Sequence, residues 1–154
     1  MGVTIVGHGL LKRAVAVWLV LIVVEFIHGI VRSIFLVPVV GDFRARQIGV
    51  FIGSALILLV AYLFIGWLRA PDKRSLTRVG ILWLVLTVAF EFVFGHFVFG
   101  WPWRDLVENY DVRHGRLLPF RMIVLASSPR ITGTLIVTKL RISKPLKFIL
   151  AVGF

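Results

Sequence analysis

Three apolar runs of bilayer length, at about residues 14–36, 47–68 and 79–100, limit what this chain can become. A helix needs about 20 residues to cross the hydrocarbon core of a membrane, and each run supplies them. The remainder does not dilute the signal. The chain is 59% apolar with a mean hydropathy of +0.98, whereas soluble domains hold about 45–50% apolar residues. The expected class is therefore all-α: a polytopic helical membrane protein with three clear transmembrane helices and an irregular fourth. The first run follows Lys12 and Arg13 as a signal peptide would, but it is too long for an h-region and lacks a small-residue cleavage site. It reads as a retained span, and His8, between two glycines ahead of it, as a solvated residue.

The fourth span belongs at about residues 117–138, where Pro119, Arg121, Pro129 and Arg130 interrupt the apolar pattern. Two prolines and two arginines make a poor free-standing membrane helix. Either neighbouring helices hold a broken span in place, or a shifted reading frame has replaced the ancestral end. A basic tail over 139–154, with Lys139, Arg141, Lys144 and Lys147, closes the chain as part of the same single membrane domain.

Two carboxylates stand inside the apolar runs. Glu25, His28, Gly29 and Arg32 follow one another at i, i+3, i+4 and i+7, so they share one helix face. That face cannot meet lipid, because an unpaired charge at the bilayer centre costs at least about 2.5 kcal/mol. It must meet another helix or a water-filled cavity. The economical reading is an internal clamp in which Glu25 pairs with His28, Arg32 or a neighbouring helix, with Gly29 admitting that helix. Arg32, a turn from the end of its span, can also reach the headgroups. Glu91 stands in the third run with Gly95 four residues on, and His96 lies well round the helix from it. Gly49 and Gly53 open the second run as a small-xxx-small pair that permits close helix contact.

Displacing the chain by 66 positions lays Glu25 on Glu91, Phe26 on Phe92, Gly29 on Gly95, Gly49 on Gly115, Asp42 on Glu108 and Lys12 on Arg78. This implies two tandem helical hairpins in the same sense, a parallel and not an inverted repeat, with Glu25 and Glu91 at similar depth. The null alternative is chance similarity between apolar helices.

The charged residues lie mostly between or beyond the runs. The formal charge of +11 thus reads as topology signals and contacts with anionic lipid headgroups, not as a nucleic-acid surface. Lys12 and Arg13, the loop from Arg69 to Arg78 and the basic tail share one side if four spans form, which puts both termini in the cytoplasm. The opposite, extracytoplasmic side carries Asp42 and a polar loop with Arg104, Asp105, Glu108, Asp111, Arg113, His114 and Arg116. Asp105, Glu108, Asp111 and His114 recur every three residues, as metal ligands on one side of a short helix would. Three arginines in the same loop compete for those carboxylates, and a solvated interfacial helix fits the balanced charge better. Phe97, Phe99, Trp101 and Trp103 beside it resemble an aromatic belt, and Trp67 an interfacial anchor. With no cysteine, the chain has no disulfide, thiolate metal site or cysteine nucleophile. Nothing in it calls for a cofactor.

The segments EFxHGxxR, GDFRARQIGVF, LWLVLT, FEFVFG, WRDLVENYD and HGRL together resemble a family of small bacterial inner-membrane proteins with four transmembrane helices and no assigned activity. The likeness covers roughly residues 14–118. It implies a four-helix membrane fold and carries over no functional residue. Such proteins end in a clean apolar helix, and this chain departs from them there. The small multidrug transporters, also four spans with a glutamate in the first, are a more distant likeness. They are shorter and lack both the polar loop and the charge bias.

Three functions compete. A structural or accessory membrane protein needs Glu25 and Glu91 only as interhelical contacts. A small proton-coupled transporter or ion-conducting protein would cycle protons on one or both, since burial raises a glutamate's pKa toward neutrality. An enzyme using Glu25, His28 and Arg32 ranks third, because no nucleophile or metal set accompanies them. The expected partners are the bilayer and a second copy or larger membrane complex that covers the polar faces.

Overall fold

The structure, a computed structural model, describes residues 8–108 and 110–152, with backbone alone at 114 and 139–152. Among these residues every regular element is helical. Helix α1 spans His8–Val31, runs through a π turn at Arg32–Leu36 and finishes at Val37–Val40. Pro38 explains the wide turn: it has no N–H to offer the carbonyl four residues back, and its ring would strike that carbonyl in a regular α-helix. The Ser33 hydroxyl donates to the Gly29 carbonyl at 2.9 Å beside the change of register. Gly41, at φ 80°, then reverses the chain with a backbone angle that favours glycine.

Helix α2 (Asp42–Leu68) ends at Arg69, and α3 (Lys73–Phe97) begins after Asp72, whose carboxylate accepts from the Ser75 amide at 2.8 Å as an N-cap. The Ser75 side chain and then this amide hold the Asp72 carboxyl below its ordinary range. A short helix α4 (Trp103–Glu108) and a 3-10 turn (Val112–His114) lead into α5 (Leu118–Val152).

Four helices are long and apolar enough to cross a membrane: His8–Val40, Asp42–Leu68, Lys73–Phe97 and Leu118–Thr138. The last is the least apolar, with a best-window hydropathy of 1.2 against 2.5, 2.7 and 1.9, yet its backbone stays helical past both prolines. Pro119 sits in the first turn, where no intrahelical N–H is needed. Pro129 deprives the Leu125 carbonyl of its donor, and the Ser128 hydroxyl takes that place at 2.9 Å. Thr132 in turn donates to the Ser128 carbonyl at 2.8 Å. The irregularity read from the sequence is thus absorbed by hydroxyls, as prolines in membrane helices require. The side chains of the basic tail from Lys139 onward, like residues 1–7, lie outside the described set.

α1 packs on α2 and α3, and α5 packs on the same two. The register of these contacts fixes direction. Trp83 donates to the Ala14 carbonyl at 2.8 Å and Trp18 to the Thr87 hydroxyl at 3.0 Å, both pairs 69 residues apart. A constant difference along two helices means that they run parallel. Phe51 meets Phe120 at 6.2 Å, and a Cβ at Gly133 would meet Ile65, differences of 69 and 68, so α2 and α5 are parallel too. The molecule is two helical hairpins set side by side in the same sense.

The hydrophobic core, with Ala14, Val17, Leu68, Val79 and Trp83 among its most buried members, fills the half of the bundle near the 69–72 connection. At Gly80 a Cβ would fall 1.8 Å from the Ala126 carbonyl oxygen, so α3 and α5 touch backbone to backbone. Outward, Ile27, Phe35, Val39, Leu63 and Ile123 are exposed, an apolar surface suited to lipid.

Candidate functional site

The half of the bundle opposite the core is polar. Glu25, midway along α1, receives the Arg121 guanidinium from the first turns of α5 on its Oε2. On the same oxygen His28 Nδ1 donates at 3.4 Å from the next turn of α1. Both carboxylate partners are largely enclosed, with 12% of the Glu25 side chain and 22% of the Arg121 side chain exposed.

α2 makes room for this pair with its glycines. A Cβ at Gly53 would stand 3.2 Å from Glu25 Oε2 and 3.4 Å from Arg121 Nε, and one at Gly49 would stand 2.6 Å from Arg32 Cδ and 3.7 Å from His28 Cε1. Gly49 and Gly53 therefore admit charged side chains between helices, where the sequence pattern suggested backbone contact. Gly29 has a different environment: nothing described lies within 4 Å of its added Cβ, so it admits no neighbouring helix here.

Arg32 does not join Glu25. Its Nη1 lies 4.0 Å from Asp42 Oδ1, while Arg46 Nε occupies Asp42 Oδ2 at 2.8 Å. Glu25 Oε1, His28 Nε2 and Arg32 Nη1 are enclosed and have no hydrogen-bond partner among the described residues. A charged file thus runs from Glu25 past His28 and Arg32 to Asp42 at the bundle end.

Glu91 sits on the parallel helix α3. Its hydrogen-bond partner is the Tyr110 hydroxyl, which donates to Oε2 at 2.8 Å. Burial and the Glu91 charge push the Tyr110 phenol up from its ordinary pKa. Arg121 and Glu25 are both within electrostatic reach of Glu91. His96 turns away from Glu91 and donates to the Trp101 carbonyl at 2.9 Å while stacking on Trp103 at 4.0 Å.

Gly95 seats the connection that brings Tyr110 into place, since Leu106 and Trp101 pack over it. In the polar loop Arg104 donates to Glu108 at 3.0 Å, Arg116 lies 3.7 Å from the other Glu108 oxygen, and Asp111 accepts from the Arg113 amide at 2.9 Å. Asp105 is exposed in the first turn of α4. The loop is thus organised by internal ion pairs. It borders an open surface cavity of about 620 Å³ lined by Trp103, Arg104, Val107, Glu108, Tyr110 and Asp111.

Among the residues that build this site, Arg121 stands out in the sequence only as an interruption of the fourth span, and Tyr110 and Gly80 are not singled out there as site residues. Arg121 could have been: a cation inside a span needs a carboxylate, and Glu25 and Glu91 are the two carboxylates that the apolar runs contain. Tyr110 and Gly80 carry no comparable signal. No protein-family model, curated protein or solved structure matches the chain.

Proposed function

We propose that this chain is an integral membrane protein of structural or accessory type, seated in a bacterial inner membrane, in which Glu25 and Glu91 act as interhelical polar contacts. The observation that carries the reading is the Glu25–Arg121 pair, which links the first and last spans over Gly53. A charge pair so enclosed fixes which helices meet and at what depth, the best-attested role of ionic groups in an apolar interior. The exposed apolar flanks and the basic loops fit contact with lipid and anionic headgroups, and the polar end leaves room for a second copy or a larger membrane complex. The likeness to small inner-membrane proteins agrees with this setting, with both termini cytoplasmic under the positive-inside rule.

The test is a double-mutant cycle with Glu25→Gln and Arg121→Gln, read as unfolding free energy in mild detergent across pH 5 to 9. A structural pair predicts that each single variant is less stable than the wild type above neutral pH, with a coupling of about 1–3 kcal/mol. A Glu25→Gln protein as stable as the wild type sinks the reading.

A second reading, a small proton-coupled transporter or ion-conducting protein, is favoured by one observation. The direct partner of Glu91 is a neutral phenol, while the nearby guanidinium is bonded to Glu25.

A further inference from the structure

The cavity beside α4 and the Glu91 carboxyl are joined by one side chain. Tyr110 lines the cavity, and its hydroxyl is hydrogen-bonded to Glu91 inside the bundle. We propose that Glu91 is a proton-binding site which takes up and releases its proton through the Tyr110 hydroxyl, from the water on the α4 side of the membrane. The proposal deepens the second reading above and is independent of the structural role of Glu25.

Charge sets the first part of the argument. Within electrostatic reach of Glu91 are Glu25 from α1 and Arg121 from α5, and Tyr110 from the loop is hydrogen-bonded to it. Arg121 is directly bonded to Glu25, so the pull of its cation on Glu91 is opposed by the Glu25 anion beside it. Four other cations at this end are paired elsewhere: Arg32 and Arg46 with Asp42, Arg104 and Arg116 with Glu108. An ionised Glu91 would leave two carboxylates around one guanidinium in an apolar interior, where an uncompensated charge is expensive. With His28 neutral, one proton on Glu91 makes the group of Glu25, Arg121 and Glu91 neutral. Glu91 is the member that takes it, because Glu25 already holds two cationic or potentially cationic donors.

Geometry sets the second part. Glu91 lies six residues before the end of α3, about 9 Å along the axis, and the Tyr110 hydroxyl stands at 2.8 Å from its carboxylate. A phenolic hydroxyl both donates and accepts. A hydronium in the cavity can pass a proton to the Tyr110 oxygen while the hydrogen already on that oxygen moves to Glu91 Oε2. The hydronium becomes water, the carboxylate becomes the acid, and the phenol is regenerated. The raised pKa of Tyr110 keeps it neutral between transfers, so it is a relay and not a proton store.

The test is infrared spectroscopy of the full chain in lipid nanodiscs. At neutral pH the wild type should show the carbonyl stretch of one protonated carboxylic acid, absent in Glu91→Gln and retained in Glu25→Gln. Transfer to heavy water should shift that band quickly in the wild type and about 100-fold more slowly in Tyr110→Phe, the low end of what a positioned proton-transfer group contributes. Phenylalanine keeps the ring that packs on Phe92, and the wild-type and Glu91→Gln spectra decide the site without it. A wild type with no protonated carboxyl at neutral pH, or a band that survives Glu91→Gln, overturns the site. A Tyr110→Phe band that exchanges at the wild-type rate overturns the relay. None of these results alters the Glu25–Arg121 cycle, so the two readings fail separately.

Discussion

The same substitution, glycine to alanine, should have opposite effects at two positions of this bundle. At Gly80 the new methyl would lie 1.8 Å from the Ala126 carbonyl oxygen and 2.8 Å from its carbon. Those are backbone atoms, so no side chain can swing aside. Restoring even 3.0 Å, the lower limit of real Cβ contacts, requires α3 and α5 to separate by the difference, 1.2 Å. A radial gap of 0.5–1 Å already forfeits about a quarter to a half of each dispersion contact along an interface, and α5 has one of its main packing surfaces here. Overpacking a well-filled core costs about 1–3 kcal/mol; backbone on backbone places Gly80→Ala near the top, at about 3 kcal/mol. At Gly29 an added Cβ meets nothing within 4 Å. There alanine keeps only its helix-propensity advantage, about 0.5–1 kcal/mol of stabilisation. The assay is equilibrium unfolding of both variants in mixed detergent micelles followed by circular dichroism. A separation of about 3–4 kcal/mol is expected. Two variants within about 0.5 kcal/mol of each other would refute the backbone contact between α3 and α5.

Two further predictions concern the helix ends and the proline of α5. Ser128→Ala should destabilise the bundle by about 1–3 kcal/mol, because it strands the Leu125 carbonyl; in a Pro129→Ala background, where the backbone N–H returns, the same change should cost much less in the same unfolding assay. Asp72→Ala should lower thermal stability through loss of the cap on Ser75. The Asp72 carboxyl is held below its unfolded value of about 3.8, so its contribution is present above that pH and disappears as pH falls through the lower folded value. A melting curve of Asp72→Ala against wild type at pH 7 and at pH 2 to 3 should show the difference only at the higher pH.

The helical class and the four long helices were legible because bilayer-length apolar runs leave little choice of structure. The parallel setting of the two hairpins was legible too, through residues as sparse as Glu25, Glu91, Gly29 and Gly95. What stayed hidden is contact identity. A small-xxx-small pair announces closeness without saying to what, and at Gly49 and Gly53 the close neighbours are the stems and heads of Arg32, His28, Glu25 and Arg121. The true backbone contact uses Gly80, one glycine in an ordinary apolar run. Arg121 was read as a defect of the fourth span because a charge in a membrane helix counts against it in isolation. Its partner lies 96 residues away, beyond any local pattern.

The position of Arg121 also makes the two parallel hairpins unlike one another. In the packed molecule Gly53 of α2 and Arg121 of α5 lie side by side, 68 residues apart along parallel helices and both against the Glu25 carboxylate. One hairpin carries the smallest residue and the other one of the largest, and each is possible because of the other. A side chain at position 53 would press on the Glu25–Arg121 pair, and without that glycine the guanidinium would have no way past α2. The result is that Glu25, in the first hairpin, acquires a cation, while Glu91, its counterpart in the second, is left with a phenol. Two carboxylates on parallel helices therefore sit in unlike surroundings, one bound by charge and the other by a neutral hydroxyl. A bundle needs no such difference merely to hold together, and it is this asymmetry that directs attention to Glu91.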